Sequence, residues 1–143
     1  MIKPFFLAAV DNVIQFGDTD IFPFPIENHV FHDKRDQVVS LLTDAFSDFE
    51  AVFNDNLPSH INILSPVGLT GFRWATQQDP FWNAFLLGVV LAIAGEIEAA
   101  RIQTDRETIY SYRVASNLEN GAVFRHDISW RDFITKYPDS QLR

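Results

Sequence analysis

The chain has 143 residues, 47% hydrophobic and 21% charged, an ordinary globular balance at the size of one domain, which excludes wholesale disorder. Nineteen acidic against 11 basic groups leave a net charge of −8, a poor overall balance for holding a polyanion, because affinity for nucleic-acid phosphates comes largely from Lys and Arg. The absence of Cys excludes disulfides, a thiol nucleophile and thiolate metal sites.

The charge is unevenly placed. Residues 1–100 hold 4 basic and 13 acidic groups, a net of −9, whereas residues 101–143 hold 7 basic and 6 acidic, a net of +1. Any surface for nucleic acid is therefore expected in the last third, helped by Arg73; a solvated mixed-charge face explains the same numbers. Fourteen Phe and three Trp against a single Met predict a core of large, rigid aromatic side chains.

The apolar start, Met1 to Val10, imitates a signal peptide, but Asp11 and Asn12 follow and no small-x-small cleavage site does. Lys3 to Phe16 instead reads as a helix, with Pro4 in the first turn, Phe6, Val10, Val13 and Ile14 at helical spacing, and Gly17 as the stop. Gly17 to Glu27 holds two prolines among aromatics and is expected to be an extended loop. A second, amphipathic helix is predicted over Asp33 to Phe53, with Val38, Val39, Leu42, Ala45 and Phe49 among its apolar positions.

Ile61 to Leu64 suggests a short strand ended by Ser65-Pro66, and Gly68 and Gly71 predict irregular backbone over Val67 to Gln78. Asp79-Pro80 opens the third helix as cap and first residue. Its apolar run, Phe81 to Ala94, is shorter than the roughly 20 residues of a membrane span and reads as the most buried helix. Thr108 to Val114 alternates as a strand, Ala122 to Arg125 suggests a second, and Trp130, Phe133 and Ile134 belong to a last helix. The fold class expected is α+β, mainly α: about three main helices with a small two-stranded element in a single domain over residues 1–143, cytoplasmic and not in a membrane.

Four features carry chemical possibilities. Asp18, Asp20, Glu27, His29, His32 and Asp33 supply oxygen and imidazole groups that suit a divalent metal, although no known ligand spacing is reproduced and turn hydrogen bonds explain the same residues. Gly68 to Thr76 places Arg73 beside Phe72 and Trp74, either a ligand-facing turn offering phosphate contact and stacking, or an Arg laid over Trp74. Tyr110 and Tyr112 share one face of the predicted strand, with Ser111 and Arg113 on the other. Phe22-Pro23-Phe24-Pro25 offers anchors for a partner's groove or a cover for the chain's own core. The sequence holds no Gly-x-Ser-x-Gly, Gly-x-Gly-x-x-Gly or His-Glu-x-x-His motif.

Three strings, Gly17-Asp18-Thr19-Asp20-Ile21-Phe22-Pro23-Phe24-Pro25-Ile26-Glu27, Gly71-Phe72-Arg73-Trp74-Ala75-Thr76 and Tyr112-Arg113-Val114, together resemble the N-terminal region of bacterial retron-type reverse transcriptases, in particular the defence-associated ones. The resemblance spans about Val10 to Phe133. It implies the fingers-side front of an RNA-directed DNA polymerase, a nucleotidyltransferase with an antiviral role, whose partners are the remaining polymerase, in cis or in trans, and an RNA or DNA template.

On that resemblance Arg113, with Tyr112, would contact the incoming triphosphate or the template backbone. Arg73 would do the same, with Trp74 or Phe72 against a base, and Asp18 and Asp20 would order their turn. The departure is large: no Tyr-x-Asp-Asp occurs, so the carboxylates that hold two metal ions about 3.5–4 Å apart are missing. The chain is then expected to be inactive alone, with no catalytic residue, metal or cofactor of its own and Mg²⁺ in the missing palm. Two other readings stay open: a non-catalytic helical protein-interaction module, and a metal-dependent hydrolase built on Asp18, Asp20, Glu27, His29 and His32.

Overall fold

A computed structural model describes residues 2–17, 25–67, 69–102, 113–114, 123–125 and 135–136. Their order is α1 (Lys3–Phe16), α2 (Pro25–Asp33), α3 (Arg35–Ser47), α4 (Phe49–Asp55), β1 (His60–Val67), β2 (Gly71–Gln78), α5 (Pro80–Ala100), β3 (Arg113–Val114) and β4 (Phe124–Arg125). Helix accounts for 66% of the described residues, and the strands form two antiparallel two-stranded sheets, β1–β2 and β3–β4. The fold is α+β and mainly α.

Two helix boundaries follow directly from local chemistry. Gly17 ends α1 at φ 81°, a left-handed conformation that suits glycine, and its N–H donates to the Val13 carbonyl at 2.8 Å. Asp79 caps α5, its Oδ1 accepting from the Phe81 and Trp82 N–H groups at 2.9 and 3.4 Å, with Pro80 in the first turn.

Other boundaries correct the sequence expectation. Among the described residues the helical part is divided into five helices instead of about three main ones. Helix begins at Pro25, inside the expected extended loop, because a proline at a first helical position removes only an N–H that needs no helical partner. The long helix expected over 33–53 is broken at Lys34 and again at Asp48, where φ is −129° and the chain leaves helical geometry. Gly71 to Gln78 of the glycine-containing stretch is one strand of a regular hairpin whose two strands have eight residues each. Only Arg113, Val114 and residues 123–125 of the two later strands, and only Thr135 and Lys136 of the expected last helix, lie within the described residues.

The core is aromatic, as composition predicts. Phe6, Val10, Val13, Leu42, Trp82 and Phe85 form the main cluster, where α1 packs on α3 and α5. Phe49 stacks on Phe85 with centroids 5.7 Å apart, and Trp82 stands edge-on to Phe49, Phe53 and Phe85. A second cluster joins Ala8 and Ala9 of α1 to Leu91 of α5 and to Val123, which brings β3–β4 against the helix pair.

Helix α5 is less buried than expected. It is 21 residues long, and by length and composition alone it meets the requirement for a membrane span, with 39% of its most apolar window buried inside the molecule. Its buried side faces α1, while Leu86, Val90, Ile93 and Ile97 stay on the surface.

Candidate functional site

The hairpin's composition explains its form. Ile61, Ile63, Phe72, Trp74 and Thr76 are β-branched or aromatic, and the register pairs Leu64 with Trp74 and Pro66 with Phe72. Directly opposed residues of an antiparallel pair project to one side, and the next pair projects to the other. One face therefore carries Asn62, Leu64, Pro66, Phe72, Trp74 and Thr76, a grouping supported by the Thr76 hydroxyl donating to Asn62 Oδ1 at 2.9 Å. The other carries Ile63, Ser65, Arg73 and the buried Ala75.

That first face is apolar and open. Leu64 is 60% exposed, Phe72 72% and Trp74 67%, so the cross-strand pairs Leu64–Trp74 and Pro66–Phe72 make a stripe facing solvent. The base of the hairpin is fastened to the helical body by the Asp79 N–H donating to the Ser59 carbonyl at 3.0 Å.

Arg73 is exposed on β2 and makes no ion pair among the described residues. It lies next to Trp74 in sequence but on the opposite face, so the two cannot grip one planar group from the same side. The alternative of Arg73 laid over Trp74 meets the same geometry.

Arg113 requires a correction. It was expected to face a nucleotide, yet it is 6% exposed and its guanidinium is used internally. Nη1 donates to Glu98 Oε2 at 2.9 Å and Nη2 donates to the Ile102 carbonyl. The same carboxylate accepts from the Val114 N–H at 3.1 Å and from Arg101 Nη1 at 2.8 Å. Burial by itself would raise the Glu98 pKa, but the hydrogen bonds from Arg113, Val114 and Arg101 outweigh it and hold the carboxyl below the ordinary glutamate range. Arg113 thus fastens β3 to α5, and a guanidinium so enclosed has no open side for a phosphate. Arg73 and Arg113 do not form a common nucleotide-facing pair.

Tyr112, Asp18 and Asp20 lie outside the described residues, as do Tyr110 and Ser111. Glu27, His29, His32 and Asp33 sit exposed on α2, and the His32 ring is 3.1 Å from Asp33 Oδ1. Among the described residues no group of three or more His, Cys, Asp or Glu side chains is placed to hold a metal ion.

Two features escaped the sequence reading. The apolar stripe was hidden because Pro66 and the glycines pointed to irregular backbone, although the alternation of Phe72, Trp74 and Thr76 was a strand signal. Glu98, the carboxylate that takes up Arg113, was legible only as an acid at the end of an otherwise apolar helix. Comparison of the chain with protein-family models, with curated proteins and with solved structures gives no match in any of the three.

Proposed function

We propose that the chain is a non-catalytic protein-interaction module that engages an apolar surface of a protein partner through the Leu64–Pro66–Phe72–Trp74 face of its hairpin. The observation that carries this reading is the exposure of three large side chains, Leu64, Phe72 and Trp74, on one side of a two-stranded element. Contiguous exposed apolar surface on a soluble domain marks a binding site, and Trp is the residue type most enriched at the centre of protein interfaces. A two-stranded hairpin is marginal by itself in water, and a partner laid on its face, or a strand added to either open edge, supplies the packing it lacks.

The test compares proteins co-purifying from the native cell with the wild-type chain and with Leu64→Ser/Trp74→Ser at equal expression. The reading expects a stoichiometric partner that the double variant loses without a change in melting temperature. A partner retained by the variant, or none at all, overturns it.

The exposed Arg73, between Phe72 and Trp74 in sequence, favours a second reading. Here the chain is the fingers-side front of a reverse transcriptase acting in the cytoplasm, and the hairpin touches a template. The polymerase remainder, with its Mg²⁺ ions, would be the partner. The net charge of −8 weighs against it. Salt-dependent binding to a primer–template that falls in Arg73→Ala supports this second reading; no binding at low ionic strength removes it.

A further inference from the structure

A second surface lies beside the base of the hairpin, on the helical body. Helices α3 and α4 and the start of α5 border an open cleft of about 720 Å³, within the range typical of small-molecule sites. Its apolar lining includes Ala45, Val52, Phe81 and the core residue Trp82. Among the described residues the charged groups on it are Asp44, Asp48 and Asp79, with no Lys, Arg or His.

Asp44 and Asp48 are not placed for stability. Asp44 sits in the last turn of α3 and Asp48 is its C-cap, where the helix carbonyls already concentrate negative charge and no basic residue offsets them. The two are four residues apart, a spacing at which like charges repel along a helix. Asp48 also leaves its side chain unused as the N-cap of α4, and no cation pairs with either carboxylate among the described residues. Asp79 is held by the Phe81 and Trp82 N–H groups and adds a third negative charge at the cleft. An apolar cavity bordered by uncompensated carboxylates selects a ligand that is apolar in body and positive at one end.

We propose that this cleft binds an amphipathic organic cation, with an ammonium or guanidinium group at Asp44 and Asp48 and an apolar body against Val52, Phe81 and Trp82. The neutral body gains from burial on the lining, and the carboxylates add charge-assisted hydrogen bonds that a neutral or anionic analogue cannot make. The partly buried Phe81 also offers an aromatic surface to the cation. The inference does not rest on the hairpin, and either stands if the other fails.

The experiment titrates the full chain at low ionic strength with phenethylammonium chloride, its neutral analogue phenethyl alcohol and its anionic analogue hydrocinnamate, following amide and indole N–H resonances by NMR. The ammonium compound is expected to shift Val52, Phe81 and the Trp82 indole, to bind about tenfold more tightly than the alcohol, and to lose that margin as salt is added. Asp44→Asn/Asp48→Asn is expected to keep or raise the melting temperature and to reduce ammonium binding to the level of the alcohol. Equal binding of the three compounds, shifts confined to other surfaces, or undiminished ammonium binding by the double Asn variant overturns the assignment.

Discussion

Buried Arg113 and the partly exposed Glu98 form an ion pair, at 2.9 Å, that fastens the short strand β3 to the C-terminal end of α5. Glu98 does more than neutralise one charge. It also receives the Val114 backbone N–H and Arg101, so a single carboxylate organises a strand, a helix end and two cations. Removing one partner of a buried pair costs more than the pair's net worth, because the other charge is left stranded away from water. Arg113→Ala is therefore expected to destabilise the chain by about 3 kcal/mol, checked by denaturant unfolding. Arg113→Leu/Glu98→Leu, which removes both charges and keeps volume, is expected to recover much of that loss. A single-variant cost under about 0.5 kcal/mol would show that the pair is not structural.

The same carboxylate sets an acid limit. The folded-state pKa of Glu98 is lowered from the ordinary 4.5, so folding favours its ionised form. Its contribution is complete above that ordinary value and is lost as pH falls through the lowered folded value. Melting temperatures of wild type and Glu98→Gln, measured from neutral pH down to about pH 3, are expected to converge on acidification, with the wild type losing more. A constant gap between the two curves would remove Glu98 from the acid response.

What the sequence made legible was the chemistry that acts within a turn or two of chain. Pro4 and Gly17 bound α1, and Asp79-Pro80 starts α5, because caps and first-turn prolines act locally. Asp48 broke a helix that apolar spacing alone ran straight through, since Phe49, Val52 and Phe53 keep the same periodicity on both sides of the break. The hairpin was missed because the pairing of Leu64 with Trp74 is a contact across strands, and Gly68 and Gly71 weigh against a strand in any local reading. Arg113 was misread for a related reason: Tyr110 and Tyr112 precede it in sequence, but its partner Glu98 is fifteen residues away.

At Gly88, α5 lies directly against Phe6 of α1. A methyl group built there would come within 2.3 Å of Phe6 Cδ1, and Phe6 is fully buried with no room to withdraw. Overpacking a filled core forces backbone shifts, so Gly88→Ala is expected to cost about 1–3 kcal/mol despite the gain in helix propensity. Gly95→Ala, on the same helix with nothing within 4 Å, serves as the control and is expected to be neutral or stabilising. Similar stabilities for the two variants would mean that the helices can separate at little cost.

Asp11 and Arg35 tie α1 to α3 through two parallel hydrogen bonds, Nε to Oδ1 at 2.5 Å and Nη2 to Oδ2 at 2.6 Å. The hydrogen bond to Asp11 raises the Arg35 pKa against the opposing effect of burial. With the Arg35 side chain 41% exposed, solvent screens much of this attraction, and Asp11→Asn is expected to cost no more than about 1 kcal/mol. Repeating the unfolding measurement in high salt should shrink the difference, whereas a loss insensitive to salt would point to packing instead.

The two faces of the hairpin should respond oppositely to polar substitution. Trp74 and Leu64 lie on the open face, so Trp74→Ser and Leu64→Ser remove little buried area and are expected to change stability by less than about 0.5 kcal/mol. Ala75, one residue away on β2, projects to the other side and is only 8% exposed. A carboxylate there would be taken from water without a partner, and Ala75→Asp is expected to cost about 2 kcal/mol or more. Urea midpoints of the three variants decide the matter. If Trp74→Ser is as damaging as Ala75→Asp, the stripe already belongs to the chain's own core and is not available to a partner.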